Sequence, residues 1–134
     1  MSQAIIQTIN ASNQVLTADS LINLGTTVNR YGCGLNQNGN GIEVSGSGYY
    51  KIEATITITP TAAGNVTINM QKNGVNVPGA QAVGSVTTVG NSTTIPINFI
   101  IRRPCAYCEN ADIITFSTQD AATINNVVVQ IVKQ

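Results

Sequence analysis

The alternation of apolar and polar residues is most regular between residues 48 and 79. Apolar side chains occupy every second position from residue 50 to residue 58, and Lys, Glu and Thr fill the positions between them. A period of two is typical of a β-strand with one buried face. The same pattern returns over residues 66–71 and predicts a second strand.

A tight hairpin is predicted directly after this second strand. Asn73-Gly74 favours a type I′ turn, because both central residues of that turn need positive φ. A two-residue loop pairs Lys72 with Val75 and therefore Met70 with Val77. The apolar residues of both arms then lie on the same face, as the register requires.

The rest of the chain carries shorter versions of the same pattern. It predicts strands at residues 4–10, 42–44, 80–89, 95–101, 113–117 and 126–133. Pro96 cannot donate to a strand ladder, so the strand that contains it is predicted at a sheet edge or at a bulge.

Two stretches are less regular. Ile22, Leu24 and Val28 share one face and predict a strand that is interrupted near Gly25, with a short helix at 17–24 as the alternative. Residues 31–41 are dense in Gly and Asn, which predicts a loop.

The strongest motifs resemble those of a known family. Residues 48–54 read Gly-x-Tyr-x-Ile-x-Ala, and residues 66–77 read Val-x-Ile-x-Met-x-Lys-Asn-Gly-x-x-Val. This order resembles the globular head of complement and the wider TNF-like jelly-roll family. The resemblance implies a compact trimer of ten-stranded β-sandwiches that often serves as an attachment or binding head.

The expected fold is therefore all-β: a two-sheet antiparallel jelly-roll sandwich of eight to ten strands. No internal repeat or linker is visible, so residues 1–134 are expected to form a single domain.

The last strand, at residues 126–133, is apolar on both faces, because Val128 and Val132 lie opposite its core-facing residues. A strand of this kind is covered on both sides. In TNF-like trimers the terminal strands lie near the subunit contact, so Val128, Val132 and the outward-facing Ile100 are predicted oligomer contacts.

Composition points towards self-association. Charged residues make up only 9% of the 134-residue chain and cancel to zero, whereas soluble domains carry about 25%. Near-zero net charge favours association. The alternative is a surface kept soluble by neutral Thr, Asn and Ser side chains.

The balanced charge argues against a nucleic-acid partner, and the basic pair Arg102-Arg103 is predicted to lie in solvent.

Targeting signals are not apparent. No apolar run approaches the 18 residues that a membrane span needs, and the N-terminus lacks the basic and apolar regions of a signal peptide. We therefore expect no membrane partner and synthesis in a bacterial cytoplasm. With the resemblance, this favours a small phage or bacterial version of the family, located on a virion.

The cysteines give a weak chemical signal. Cys105 and Cys108 form a C-x-x-C pair and Cys33 stands alone, whereas zinc sites usually need four ligands. The two paired cysteines are weak metal candidates unless copies converge on a three-fold axis. A disulfide within the pair or to Cys33 is an alternative, and free thiols are the default in a reducing cytoplasm.

Catalytic groups and cofactor motifs are not evident. The chain has no His, which removes the usual general base and the usual triads. Glu109 and Asp112 share a predicted loop, but two carboxylates are few for Ca²⁺. We expect no enzyme and no cofactor.

The leading functional hypothesis is a homotrimeric structural protein of a bacteriophage surface, such as a head fibre, a capsid decoration or a tail-fibre tip, with other virion proteins as partners. The alternative is a carbohydrate- or receptor-binding head of a fibre or a bacterial spore, with a host surface glycan as partner. Tyr31 and Tyr107 are the possible ligand contacts for that second role.

Overall fold

A computed structural model describes residues 4–103 and 111–134 as an all-β structure. The part of the chain that it describes contains no helix that is long and apolar enough to cross a membrane. The described residues form twelve strands: β1 (Ile5–Asn10), β2 (Gln14–Leu16), β3 (Ser20–Leu21), β4 (Thr26–Tyr31), β5 (Leu35–Asn38), β6 (Gly41–Val44), β7 (Gly48–Pro60), β8 (Gly64–Lys72), β9 (Val75–Val86), β10 (Thr93–Arg103), β11 (Asp112–Thr118) and β12 (Ala122–Lys133).

The strands form two antiparallel sheets. The first sheet has the order β10-β7-β12-β1-β4, with β2 also paired to β12. The second has the order β5-β6-β11-β8-β9, with β3 also paired to β11. The very short β2 and β3 account for the excess over the eight to ten strands predicted. Pro96 lies in β10 at the edge of the first sheet, as predicted.

The central strand β7 is the longest, and its alternation is confirmed. The side chains at every second position from Tyr50 to Ile58 are almost fully buried. Ile56 lies between Ile95 of β10 and Val127 of β12. Each sheet contributes one apolar face, and the two faces meet in a single core. The largest fully buried side chains are those of Tyr50, Phe116, Ile6, Ile22, Leu24, Leu35, Ile42, Ile52, Ile56, Ile58, Ile68 and Met70.

The Asn73-Gly74 hairpin forms as predicted, but its register does not continue. Lys72 pairs with Val75, and the next pairs are Gln71 with Asn76 and Asn69 with Gln81. The predicted pairing of Met70 with Val77 is therefore wrong. Pro78 lacks the N–H that a regular ladder needs at this point, and β9 bulges. Val77 nevertheless packs against the core, so the predicted face is correct.

The stretch from Ile22 to Val28 does not form one strand. Ile22 and Leu24 are fully buried, but Val28 is 49% exposed. The interruption occurs at Gly25, as predicted, where φ is +79°. The chain then continues as β4 along the edge of the first sheet. The alternative of a helix at 17–24 is wrong, because this stretch contains a turn at 18–19 and the strand β3.

The predicted loop at 31–41 is wrong in its middle. Leu35–Asn38 forms β5, which pairs with β6. Leu35 is buried in the core, and the Gln37 side-chain amide donates to the Gly25 carbonyl oxygen at 2.7 Å. The Gly and Asn residues belong to the turns on either side of this strand.

Candidate functional site

Three neighbouring rows of side chains cross the outer face of the first sheet. The first, called here the apolar row, crosses five strands in register: Ile100, Lys51, Val132, Ile5 and Tyr31. Ile100 is 57% and Tyr31 68% exposed, and Val132 and Ile5 are half-buried. Four of these five side chains are apolar or aromatic and face outward.

The next row is polar and is called here the amide row. It consists of Asn98, Glu53, Gln130, Gln7 and Asn29. The Asn29 amide donates to the Gln7 side-chain oxygen at 2.7 Å. Glu53 forms a 2.9 Å ion pair with Lys51. Most of the side-chain amides in this row still have N–H donors and carbonyl oxygens available for further hydrogen bonds.

A third row again mixes apolar and small polar side chains. It runs through Pro96, Thr55, Val128, Ile9 and Thr26. Val128 and Ile9 are half-buried within the single chain. The outer face therefore alternates between apolar contact surface and hydrogen-bonding groups.

A hollow opens beside the apolar row. Its volume is about 250 Å³, and its lining residues are Ala4, Ile5, Tyr31, Val132 and Lys133. It lies on the β1, β4 and β12 side of the sheet, whereas Ile100 lies on the opposite edge strand β10. The face thus offers an apolar projection at one edge and an apolar depression towards the other.

The second sheet has a different exterior. Its outward positions are mainly Thr, Asn and Gln, and neighbouring side chains satisfy each other, as where the Gln71 amide donates to Asn76 at 3.0 Å. Four exposed apolar side chains are exceptions: Leu21, Val75, Val83 and Ile113, at 44%, 68%, 58% and 37%. Rows in which most side chains are apolar are a feature of the first sheet.

The three predicted oligomer contacts all lie on the outer face of the first sheet. Ile100 and Val132 belong to the apolar row and Val128 to the third row. Tyr31, proposed from sequence as a loop ligand contact, instead ends β4 and lines the same hollow as Val132. Tyr107, the other proposed ligand contact, lies outside the described residues.

Sequence reasoning missed Ile5 and Lys133 as members of this surface. Ile5 could have been found from the adjacent pair Ile5-Ile6, which places apolar side chains on both faces of β1. Lys133 carries no such signal, because its place beside the hollow depends on the pairing of β12 with β1.

Cys105 and Cys108, the weak metal candidates, lie outside the described residues. Cys33 is exposed. Within residues 4–103 and 111–134, no three His, Cys, Asp or Glu side chains come together as a metal-binding group.

A buried ion pair joins the two sheets at the end of the sandwich. Arg103 is 5% exposed, so its predicted place in solvent is wrong, whereas Arg102 is exposed. Successive residues of a strand point to opposite faces, and the inward Arg103 meets the Asp112 carboxylate at 2.8 Å. Lys72 approaches the same carboxylate at 3.5 Å, and the Asn73 amide donates to it at 3.0 Å.

These contacts set the ionisation of Asp112. Partial burial by itself raises the pKa of its carboxyl group, but hydrogen bonds from Asn73 and Arg103 and the positive charges of Lys72 and Arg103 outweigh burial. The net pKa lies below its ordinary value. The carboxylate is a structural anion beside the Asn73-Gly74 hairpin.

Sequence comparisons give no relative. The chain matches no protein-family model and no curated protein.

Comparison with solved structures gives the fold. Murine APRIL superposes with a TM-score of 0.72 at 14% identity, over 98% of this chain and 99% of that chain. The globular domain of zebrafish complement 1qA protein gives 0.67 at 5% identity, over 95% and 94%. The vertex protein P5 of phage PRD1 gives 0.63 at 18% identity, over 98% and 96%.

The fold is a TNF-like jelly roll. The resemblance seen in residues 48–77 is thereby confirmed at the level of the fold. Identities this low show a shared architecture and leave function to be argued from the surface of this jelly roll.

Proposed function

We propose that this chain is a structural, non-enzymatic protein, built on one domain spanning residues 1–134. It forms a homotrimer through the outer face of its first sheet and is carried on the surface of a bacteriophage particle. The observation that supports this most directly is the contrast between the two exteriors. Two rows rich in apolar side chains cross the outer face of the first sheet, whereas the outer face of the second sheet is mainly polar, with separate exposed apolar residues.

Association through the first sheet would remove its outward-facing apolar side chains from water. Covering Ile100, Val132, Ile5 and Val128 removes apolar area from water, at about 25 cal/mol per Å². The amide row would meet its equivalents on another copy, and its unused donors and acceptors would restrict the alignment of the copies.

The projection and the hollow are complementary. Ile100 lies at one edge of the face and the hollow lies towards the other edge, so one copy's Ile100 can enter another copy's hollow. Two copies can exchange this contact across a two-fold axis, and head-to-tail repetition of it can close a ring. The resemblance to TNF-like proteins favours the ring, with three members.

A phage particle is proposed as the location because the vertex protein P5 of phage PRD1 shares this fold over nearly the whole chain. A structural role is also supported by the lack of His in the sequence. The low content of charged residues fits a chain that is largely surrounded by protein.

The interface is tested by charge substitution. Ile100→Lys and Val132→Lys each place an ammonium group in the proposed contact, and each should weaken association by about 100-fold or more. Val83→Lys is the matched control, because Val83 is equally exposed, at 58% against 57%, but lies on the second sheet. The measurement is native mass across a dilution series, with circular dichroism to confirm folding.

Val83→Lys should keep the mass of the unmodified chain while the other two variants dissociate. Equal masses for all three folded variants would rule out the first sheet as the contact.

The location is tested on particles. Phage particles purified from cells that produce the chain should contain it by mass spectrometry, and an antibody to the chain should label intact particles. Recovery of the chain solely from the unassembled fraction would contradict a virion role.

A further inference from the structure

An ion pair interrupts the apolar row of the first sheet. Lys51 lies between Ile100 and Val132 in the register of β10, β7 and β12, and its ammonium group contacts the Glu53 carboxylate at 2.9 Å. The two side chains are 48% and 43% exposed in the single chain. A second copy that covers Ile100 and Val132 would also cover Lys51, so the ion pair would leave water together with the apolar side chains around it.

The neighbours of Glu53 on the adjacent strands are neutral. Glu53 pairs with Asn98 of β10 and with Gln130 of β12, and the amide row continues across β1 and β4 with further amides. Among the described residues, Glu53 is the only acid in the strands of the first sheet. An amide can share a hydrogen bond with Lys51, but it cannot replace a carboxylate as the counter-ion.

The other charged groups near this ion pair are positive. Arg102 lies on the same outer face, where it pairs with Tyr49 and its guanidinium lies 6.0 Å from the centre of the Tyr49 ring. Two further cations point elsewhere: the Arg30 Nε donates to a backbone carbonyl oxygen of β5, and the Lys133 ammonium lies beside Gly46, between β6 and β7. Glu53 therefore carries the negative charge of this face.

Acid changes the charge of the outer face in one direction. Tyrosine phenols are uncharged in acid, so protonation of Glu53 leaves Lys51 and Arg102 as the charges of the face. Removing one partner of a covered ion pair is strongly destabilising, because the other charge stays out of water without a partner. Positive charges on adjacent copies would also repel each other.

These surroundings single out Glu53 as the group that responds to acid. We propose that the homotrimer dissociates in acid, because protonation of Glu53 leaves Lys51 without a counter-ion in the contact between copies. This inference rests on the proposed function, since the same ion pair is exposed in the single chain, where such pairs contribute little to stability.

The direction of the pH dependence follows from linkage. Assembly favours the charged carboxylate over the protonated one, so binding of a proton favours the separate chains. Association is therefore strongest at neutral pH and weakens as the pH falls. The fold itself is kept at about pH 4, because the pKa of the Asp112 carboxyl lies below its ordinary value of 3.8 in the folded chain.

The test measures the native mass of the intact chain by sedimentation, across a dilution series at about pH 7 and about pH 4. Circular dichroism confirms that the chain stays folded. An ordinary glutamate is about two-thirds protonated at about pH 4, and association that needs its charged form falls about threefold for each copy. The dissociation constant of a trimer should rise about 30-fold, and neutralisation should restore the trimer.

Glu53→Gln imitates the protonated residue at neutral pH. It should raise the dissociation constant about 100-fold or more at pH 7 and lose most of the response to acid. Glu43→Gln is the matched control, because Glu43 lies on the second sheet, where it accepts a hydrogen bond from Asn38 at 2.7 Å. This control should keep both the mass at pH 7 and the acid response of the unmodified chain.

A double variant separates the ion pair from the surface around it. Lys51→Met combined with Glu53→Gln removes both charges, and replacement of a covered ion pair by uncharged groups of similar volume is often neutral or stabilising. The double variant should assemble at pH 7 and should keep the same mass at about pH 4. Its assembly would also show that Glu53→Gln alone acts through the unpaired Lys51.

The outcomes separate this inference from the proposed trimer. A trimer with the same dissociation constant at both pH values, or an acid response that persists in Glu53→Gln, would overturn the role of Glu53 and leave the trimer in place. A double variant that dissociates in acid as the unmodified chain does would overturn it as well. A monomer at pH 7 would contradict the trimer and the acid response together.

Discussion

Two separate constraints require a glycine at position 25. Its φ of +79° favours glycine, and a Cβ at this position would collide with the Ile9 carbonyl oxygen. Gly39 has a φ of +60°, but nothing lies within 4 Å of the position that its Cβ would take. Substitutions at the two glycines therefore separate the cost of the positive φ from the cost of a steric clash.

We expect Gly25→Ala to lower the free energy of unfolding by about 3 kcal/mol, because strain and the clash with Ile9 add. Gly39→Ala should cost about 1 kcal/mol, which is the strain alone. Urea denaturation of both variants measures the difference. Equal losses of unfolding free energy for the two variants would show that the backbone near Ile9 moves away from the new Cβ at no cost.

Asp112 is a residue whose ionisation contributes to stability. Its pKa is lowered in the folded chain, so the charged form stabilises the fold. The contribution is present above the ordinary pKa of the carboxyl group and is lost as the pH falls through the lower, folded value.

Asp112→Asn should lower the free energy of unfolding at neutral pH by about 2 kcal/mol, since Arg103 loses an anionic partner in a buried position. The variant should also lose less stability than the unmodified chain as the pH falls below 3.8, the ordinary value. Denaturation across that pH range tests both points, with the exposed Asp19→Asn as control. An unchanged acid profile would show that Asp112 is not the group involved.

At the scale of the strand, the elements that the sequence predicts well are those whose pattern is local. β7 alternates over its own length, and the Asn73-Gly74 turn needs no distant partner. β5 was missed because a single apolar residue, Leu35, anchors it within a Gly-rich and Asn-rich stretch. The register beyond the hairpin was missed because the bulge near Pro78 shifts the pairing of β9 with β8.

Ile56→Ala tests the role of β7 as the centre of the first sheet. Ile56 is fully buried, so its truncation should cost about 3–4 kcal/mol through lost burial and a residual cavity. Val83→Ala, at an exposed position of β9, should change the free energy of unfolding by no more than about 0.5 kcal/mol. A loss below about 1 kcal/mol for Ile56→Ala would show that the core repacks around the site.

The candidate surface on the first sheet was only partly predictable, because part of it depends on pairings between strands that are distant in sequence. Val128 and Val132 were found because β12 is apolar on both faces within one stretch. The apolar row as a whole joins five strands that are distant in sequence, so its continuity depends on pairings such as Ile5 with Val132. The ion pair of Arg103 with Asp112 was missed because it joins strands of different sheets.

At the scale of the whole molecule, the two sheets differ in the composition of their outer faces. The outer face of the first sheet is rich in apolar side chains, and the outer face of the second is mainly polar. In the proposed homotrimer, the first sheet would be covered by other copies and the second would face solvent.

The native mass of the unmodified chain tests this account most directly. Sedimentation equilibrium over a wide concentration range should give a single species of three times the 14.0 kDa chain mass. A clean monomer throughout that range would contradict the account, because the apolar face of the first sheet would then stay exposed to water.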